Sequence, residues 1–144
     1  MTRIDFYILK DDTPNGRERT ACRLVEKVYP LGHEVYINTD SRAEADIMDD
    51  LLWTYKQASF IPHSLYNNEK KEDSDEPKIQ IGHNSDPNSH MDILINLSAE
   101  VPLYFSRFER VAEVIEPNDS AKKAGRERYS FYRDRGYALK THEI

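Results

Sequence analysis

The sequence predicts a single three-layer α/β/α domain built on a Rossmann-like, mostly parallel sheet. Three observations predict this class. The chain has 144 residues, the usual length of one domain. Its first half alternates short apolar runs with helical patterns, in the order strand, helix, strand, helix. Those runs are apolar on successive residues, as in strands that are covered on both faces.

The first half contains two strand and helix pairs. The first strand is predicted at Ile4–Leu9, before the turn cluster DDTPNG at Asp11–Gly16. A helix over Arg17–Tyr29 has apolar residues spaced for one buried face, and a proline and a glycine then end it. A second strand at Glu34–Asn38 leads to a second helix at Ser41–Trp53. Right-handed crossovers would make these strands parallel.

The middle of the chain is strongly polar. Residues 67–90 are expected to form a mobile surface loop, in which Lys78–Ile81 is a short edge strand. A strand at Asp92–Leu97, a short helix at Pro102–Phe108 and a strand at Arg110–Ile115 follow. Neither an internal repeat nor a domain boundary is evident, so residues 1–144 are predicted to form one domain.

The last helix, over Pro117–Gly136, has an unusual charge. Asn118, Asp119 and Ser120 each offer a side-chain oxygen to cap its first turn, and Gly136 can take the left-handed conformation that ends a helix. From Lys122 to Lys140 there are seven Lys or Arg residues and two acidic ones, whereas the whole chain carries a net charge of −6. The tail after Gly136 has no strong pattern.

One face of this helix has the composition of a binding site. Arg126, Tyr129, Ser130 and Arg133 are spaced so that they share a face. Two guanidinium groups with an aromatic ring between them suit a ligand that carries carboxylates and an apolar group. A solvated face that improves solubility is the alternative, and the residues alone leave both open.

Composition excludes several classes of function. A pI near 5.4 is unlike that of general nucleic-acid binders. Cys22 is the only cysteine, which rules out an internal disulfide and a multi-cysteine zinc site and suggests a reducing cytosol. No signal peptide or membrane span is evident. Because glycine-rich phosphate loops and a nucleophile elbow are missing, no catalytic residue, cofactor or metal is expected.

Three separated motifs carry a resemblance to a known family. They are LLWTY at Leu51–Tyr55, SFIPH at Ser59–His63 and RERYxxYRxxGY at Arg126–Tyr137. In this order they resemble the chi subunit family of the bacterial DNA polymerase III clamp-loader assembly. The resemblance covers nearly the whole chain.

The resemblance implies a non-catalytic, cytoplasmic bacterial protein that acts in DNA replication by binding other proteins. Such subunits bind the acidic, Phe-terminated C-terminal tail of single-stranded DNA-binding protein, and a psi subunit connects them to the clamp loader, so that DNA is reached indirectly. By matching positions, the expected tail-binding residues are Arg126, Tyr129, Arg133, Trp53 and Ile115. The expected psi-binding residues are Phe60, Ile61, Pro62 and His63.

The chain departs from the family pattern at one position of the basic helix. Ser130 occupies a place where a lysine is expected, and Arg128 or Lys123 are candidates to compensate. Two other functions stay open. One is a Rossmann-like enzyme that binds a nucleotide near the DDTPNG loop. The other is direct binding of single-stranded DNA by the basic helix, with Tyr129 or Tyr132 stacking on bases.

Overall fold

The computed structural model describes residues 2–55, 60–66, 77–83, 85–87 and 92–144. Seven strands form one sheet, and they are β1 (Arg3–Ile8), β2 (Val35–Thr39), β3 (His63–Leu65), β4 (Ile79–His83), β5 (Ile93–Asn96), β6 (Arg110–Ile115) and β7 (Ala138–Glu143). Their order across the sheet is β3-β4-β2-β5-β6-β1-β7, and every pairing is parallel. The predicted Rossmann-like class is confirmed.

Helices cover both faces of the sheet. The three α-helices are α1 (Gly16–Val28), α2 (Arg42–Thr54) and α3 (Asp119–Asp134), and two 3-10 turns lie at Tyr29–Leu31 and Phe105–Arg107. Buried residues of α1 and α2 pack with one set of strand residues, and Tyr132 of α3 packs with the alternate set. Since successive strand residues point to opposite faces, α1 and α2 lie on one face and α3 on the other.

Local sequence signals place the helix starts well. The Ser41 side chain accepts a hydrogen bond from the Glu44 backbone N–H at 3.2 Å, at the start of α2. The Asn118 side chain likewise accepts one from the Ala121 N–H at 2.8 Å, at the start of α3. Gly136 has a φ of 81°, as its role after α3 requires.

The polar middle segment contains a correction. Within the predicted mobile loop, residues 67–76, 84 and 88–90 lie outside the described part of the chain. Ile79–His83, however, is β4, which is mostly buried between β3 and β2. The predicted edge strand at Lys78–Ile81 is therefore an interior strand, and the edge of the sheet on this side is β3. The sequence did not indicate that β4 is interior. Its flanking residues are polar, and its burial comes from pairing with β2 and β3.

The C-terminal tail, which has no strong sequence pattern, is the edge strand β7. It pairs with β1 in register, with Leu139 opposite Ile4 and Thr141 opposite Phe6. β7 has few buried residues, so its composition carries none of the apolar pattern by which strands are recognised.

A buried carboxylate ties β7 to the sheet. Asp5 on β1 is 2% exposed, and its Oδ1 lies 3.0 Å from His142 Nε2 on β7. Arg110 donates to Asp5 Oδ2 at 3.3 Å, and Arg3 Nε lies 3.5 Å from that atom. Burial alone would raise the pKa of Asp5, but the His142 hydrogen bond and the charges of Arg110 and Arg3 hold it below its ordinary value of 3.8.

We expect Asp5→Asn to destabilise the protein near neutral pH by about 1.5–3 kcal/mol, the size of hydrogen bonds to a charged group. A carboxyl group with a lowered pKa stabilises the fold above its ordinary value, and this contribution disappears as the pH falls through the folded-state pKa. Urea unfolding at several pH values should show the gap between wild type and variant closing in acid. Asp134→Asn, at an exposed site, is the control. A gap that persists below the Asp5 pKa would contradict the charge-based explanation.

Candidate functional site

An open cleft lies between α3 and the carboxyl ends of β1 and β6, beside the edge strand β7. Its volume is about 280 Å³, and its lining combines apolar, cationic and hydroxyl groups from these four elements: Phe6, Ile8, Ile115, Lys122, Gly125, Arg126, Tyr129, Thr141 and Glu143. Phe6 and Ile115 are buried and form an apolar floor. The cleft therefore offers an apolar surface below charged groups.

Helical spacing brings the α3 residues to the cleft together. Lys122, Gly125, Arg126 and Tyr129 stand at positions i, i+3, i+4 and i+7 of the helix, which share one face. The Tyr129 ring packs against Phe6 with ring centroids 5.3 Å apart. One helical face thus supplies two cations and an aromatic ring.

Gly125 permits the close approach of α3 to the sheet. A Cβ atom at this position would overlap Ile115 Cδ1. A glycine inside a helix costs roughly 1 kcal/mol relative to alanine, so this position trades helix stability for close packing. The side chain that a larger residue would displace is itself part of the cleft floor.

A buried ion pair fixes the rotation of α3. Arg128 donates from Nε to Glu113 Oε1 at 2.8 Å and from Nη1 to the Ala99 carbonyl at 3.0 Å. Glu113 is fully buried, and its Oε2 accepts hydrogen bonds from Tyr132 at 2.7 Å and Asn96 at 2.9 Å. Arg128 is consequently committed beneath the helix. It does not compensate for Ser130.

The two cations of the cleft are available to a ligand. Neither Lys122 nor Arg126 forms an ion pair with another described residue. Glu143 lies on the opposite wall and contributes one negative charge. The three side chains leave an excess of positive charge over an apolar floor, which suits an anionic ligand with an apolar group.

The structure brings together three of the five predicted tail-binding residues. Arg126, Tyr129 and Ile115 all line the cleft. Arg133 lies one to two turns further along α3, outside the lining. It is exposed, and its side chain is 3.3 Å from the Asp134 carboxylate.

Trp53 is not at this cleft, and the expectation that placed it beside Arg126 is corrected. It lies in the last turn of α2, on the opposite face of the sheet, and its ring centroid is 4.2 Å from that of His63 on β3. β3 is the edge strand furthest from β7. The crossover that carries α2 to the other face could not be seen from the position of Trp53 in the sequence.

Trp53 instead joins the residues predicted to bind psi. Phe60 is 86% exposed and Trp53 is 53% exposed, whereas Ile61 and His63 are buried and Pro62 is exposed. We call Trp53, Phe60 and Pro62, with Ile61 and His63 beneath them, the Trp53–Phe60 surface. Exposed large aromatic side chains of this kind are typical of protein interfaces.

Sequence reasoning missed much of the cleft. Lys122 could have been predicted from the sequence, since it is four residues before Arg126 on the same helix face. Phe6 and Ile8 were recognised only as strand residues. Thr141 and Glu143 could not be found, because their strand was not predicted.

A larger depression lies elsewhere, at the carboxyl ends of β2 and β5. It has a volume of about 750 Å³, but three carboxylates line it, from Asp40, Asp86 and Glu100, and its arginine, Arg107, is paired with Asp86. This charge disfavours an acidic ligand. Although this depression is larger, the cleft beside α3 is the better candidate for binding an acidic ligand.

The described residues contain no group of three or more His, Cys, Asp or Glu side chains arranged to hold a metal ion. None of the described helices combines the length and the apolar character that a bilayer crossing needs.

Comparison with known proteins relates the chain to one family. The family model described as "DNA polymerase III chi subunit, HolC" matches residues 1–140. A DNA polymerase III subunit chi of Pseudomonas aeruginosa is 38% identical over 144 residues, which are 100% of this chain and 98% of the relative. The subunit chi of Haemophilus influenzae is 30% identical over 140 residues, 96% and 95% of the two chains. That of Escherichia coli strain K12 is 28% identical over 145 residues.

Solved structures of low sequence identity share the fold. T4 UvsW superposes with a TM-score of 0.67 at 11% identity, and the match covers 99% of this chain but 42% of that one. Mss116p DEAD-box helicase domain 2, solved bound to an RNA duplex, gives a TM-score of 0.67 at 10% identity, covering 98% and 63%. At such identities the likeness concerns architecture alone.

We expect Gly125→Ala to narrow the cleft with little loss of stability. The added methyl group would push Ile115 Cδ1 aside, while the better helix propensity of alanine, about 1 kcal/mol, offsets the strain. A crystal structure should show a new Ile115 rotamer, and urea unfolding should give a free energy within about 1 kcal/mol of wild type. Unchanged positions of both Ile115 and α3 would contradict the close-packing role of Gly125.

Proposed function

The chain belongs to the DNA polymerase III chi subunit family, and from that premise we propose that its α3 cleft receives the acidic C-terminal tail of single-stranded DNA-binding protein. As a member of this family the chain is a replication accessory subunit. The single observation that carries the proposal is the pair of cations Lys122 and Arg126, which form no ion pair within the described part of the chain and lie above the apolar floor of Phe6 and Ile115.

The cleft matches the chemistry of such a tail. A terminal phenylalanine ring would enter between Tyr129 and the floor, where burial of a phenylalanine contributes about 1.5–3 kcal/mol. Its carboxylate and the preceding aspartates would accept hydrogen bonds from Arg126 and Lys122, each contributing about 1.5–3 kcal/mol. These contributions are of the size needed for micromolar binding, about 8 kcal/mol.

Lys122 supplies the positive charge that is missing because Ser130 replaces an expected lysine. It lines the cleft directly, whereas Arg128 is held in the buried pair with Glu113. Arg133, one to two turns away and exposed, would contact only upstream acidic residues of the tail.

The Trp53–Phe60 surface is proposed to bind the psi subunit and, through it, the clamp loader. It lies at the β3 edge, and the α3 cleft lies at the β7 edge. Seven strands span six spacings of about 4.8 Å, so the two edges are roughly 29 Å apart. Both partners could then bind at once. In this proposal the chain is a cytoplasmic, non-catalytic connector that reaches DNA only through its partners.

Isothermal titration with a short acidic peptide ending in Pro-Phe tests the cleft. Wild type should bind it with micromolar affinity and lose binding when the Phe is deleted. Arg126→Ala should weaken binding about ten- to hundredfold, as expected from loss of a charge-assisted hydrogen bond. Lys122→Ala should weaken it more than Lys123→Ala, its matched control on the exposed side of the same turn.

The pattern across variants is as informative as the affinity. Each variant should keep the unfolding midpoint of wild type, since these side chains are at the surface. Equal losses for Lys122→Ala and Lys123→Ala would indicate general attraction to a basic helix. Wild-type affinity in Arg126→Ala would exclude the cleft.

A second prediction concerns the Trp53–Phe60 surface. Phe60→Ala should weaken binding to a psi subunit by tenfold or more, as truncation of an aromatic hot spot does. Leu103→Ala is the control, because Leu103 is also a large, exposed apolar side chain, at 94%, but lies at the large acidic depression. Gel filtration and titration calorimetry with psi would measure both. A larger effect of Leu103→Ala would move the psi site to that depression.

A further inference from the structure

The outer edge of β7 is a row of backbone donors and acceptors at the end of the sheet. The Ile144 N–H donates to the Ile8 carbonyl oxygen at 3.0 Å, and the Lys10 N–H donates to the Ile144 carbonyl oxygen at 2.8 Å. Ile144 therefore uses both of its backbone groups to bond to β1. Because the direction of these groups alternates along a strand, the groups of every second residue point away from β1. We call these residues the free edge of β7: Leu139, Thr141 and Glu143.

The side chains of the free edge lie on the face of the sheet that α3 covers. Leu139 is opposite Ile4 and Thr141 is opposite Phe6, and both of these β1 residues pack with α3. Thr141 and Glu143 line the α3 cleft. Within the described part of the chain, the backbone groups of the free edge have no hydrogen-bond partner. A ligand in the cleft thus lies next to backbone groups that can bind a further strand.

β7 lacks the features that usually prevent an edge strand from pairing. Such strands are commonly very short, bulged or interrupted by proline. β7 has six residues in unbroken register with β1, and none of them is proline. The strand at the opposite edge, β3, has only three residues. Lys140 is exposed on β7, and a lysine at an edge repels basic segments but attracts acidic ones.

Cations lie at both ends of the path along β7. Since α3 connects the carboxyl end of β6 to the amino end of β7, Arg126 lies near the carboxyl end of β7 and Arg133 near its amino end. They are seven residues apart in the helix, about 10.5 Å along its axis, which an extended chain spans in about three residues. A segment whose terminal carboxylate is bound by Arg126 would therefore bring its preceding acidic residues to Arg133. In that orientation it runs parallel to β7, as all the strands of the sheet do.

We propose that an extended acidic segment pairs in parallel with the free edge of β7 as an eighth strand and ends with its carboxyl terminus in the α3 cleft. This inference rests on the proposed function, because it names the way in which the same site holds its peptide. Main-chain hydrogen bonds give an added strand affinity, while side-chain pockets give it specificity. The cleft and the cations select the terminal group and the acidic residues, and β7 binds the backbone between them.

Amide hydrogen exchange of the full chain, followed by NMR, tests the pairing directly. Without peptide, the N–H groups of Lys140 and His142 should exchange slowly because they donate to β1, and those of the free edge should exchange fast. A saturating acidic peptide that ends in Pro-Phe should slow the exchange of Leu139, Thr141 and Glu143 by about tenfold or more.

The possible outcomes separate strand addition from the proposed function. If the peptide shifts the signals of Gly125 and Tyr129 but leaves exchange at the free edge unchanged, strand addition is refuted and the proposed function stands. If the peptide does not bind, both are refuted. Slow exchange at the free edge without peptide, increasing with protein concentration, would assign this edge to a second copy of the chain and overturn the proposal.

Removing one donor from the free edge tests the same bonds by affinity. Thr141→Pro deletes an N–H that points away from β1, so the pairing of β7 with β1 is kept, and proline is tolerated at such positions of an edge strand. Thr141→Val is the matched reference, since it removes the same hydroxyl group and keeps the N–H. In titration calorimetry Thr141→Pro should bind the peptide about three- to tenfold more weakly than Thr141→Val, the effect of one hydrogen bond. Equal affinities of the two folded variants would contradict pairing at Thr141.

Methylated peptides give a test that leaves the chain unaltered, in case Thr141→Pro does not fold. The backbone groups of an added strand point alternately toward β7 and toward solvent. Methylation of successive backbone nitrogens upstream of the Pro-Phe end should therefore weaken binding at every second position and have little effect at the positions between. Losses without this alternation would refute strand addition, because a peptide held only by its terminal group and its carboxylates has no period of two.

Discussion

The buried pair between Glu113 and Arg128 is the interaction on which the α3 cleft depends. A fully buried carboxylate must have its oxygens occupied, and Arg128, Tyr132 and Asn96 occupy both of them. Two of these donors come from α3, so the helix can sit on β6 in one rotation only. That rotation turns the face of Arg126 and Tyr129 toward β1 and β7. Basic residues that look alike in the sequence thus have separate roles, one structural and the others exposed to a ligand.

The parallel sheet separates the two candidate interaction surfaces. Each crossover sends its helix to one face, so α2 ends beside the β3 edge while α3 packs near the β7 edge. An aromatic surface with a buried histidine and a cationic cleft with an apolar floor therefore lie at opposite edges of one rigid framework. This arrangement suits a connector, because binding at one edge leaves the other open, and neither surface requires a reaction centre.

The sequence predicted what local signals specify. The starts of α2 and α3, the apolar runs of β1, β2, β5 and β6, and the cationic face of α3 could all be predicted from the sequence. It placed β4 at the edge of the sheet and did not predict β7, because the positions of both strands depend on pairing with residues elsewhere in the chain. The misplacement of Trp53 has the same origin: its neighbour in space is His63, and only the crossover brings them together. Lys122 and Gly125 were the cleft residues that helical spacing could have added.

The most direct test of the central claim, that the α3 cleft receives an acidic tail, is a ¹H–¹⁵N NMR titration of the chain with the Pro-Phe-terminated peptide. The account predicts that the backbone signals of Gly125, Tyr129 and Thr141 move together and saturate at one peptide equivalent, while the Trp53 indole signal stays in place. Shifts centred on Trp53, or on the depression lined by Asp40 and Glu100, with those of α3 unchanged, would contradict it.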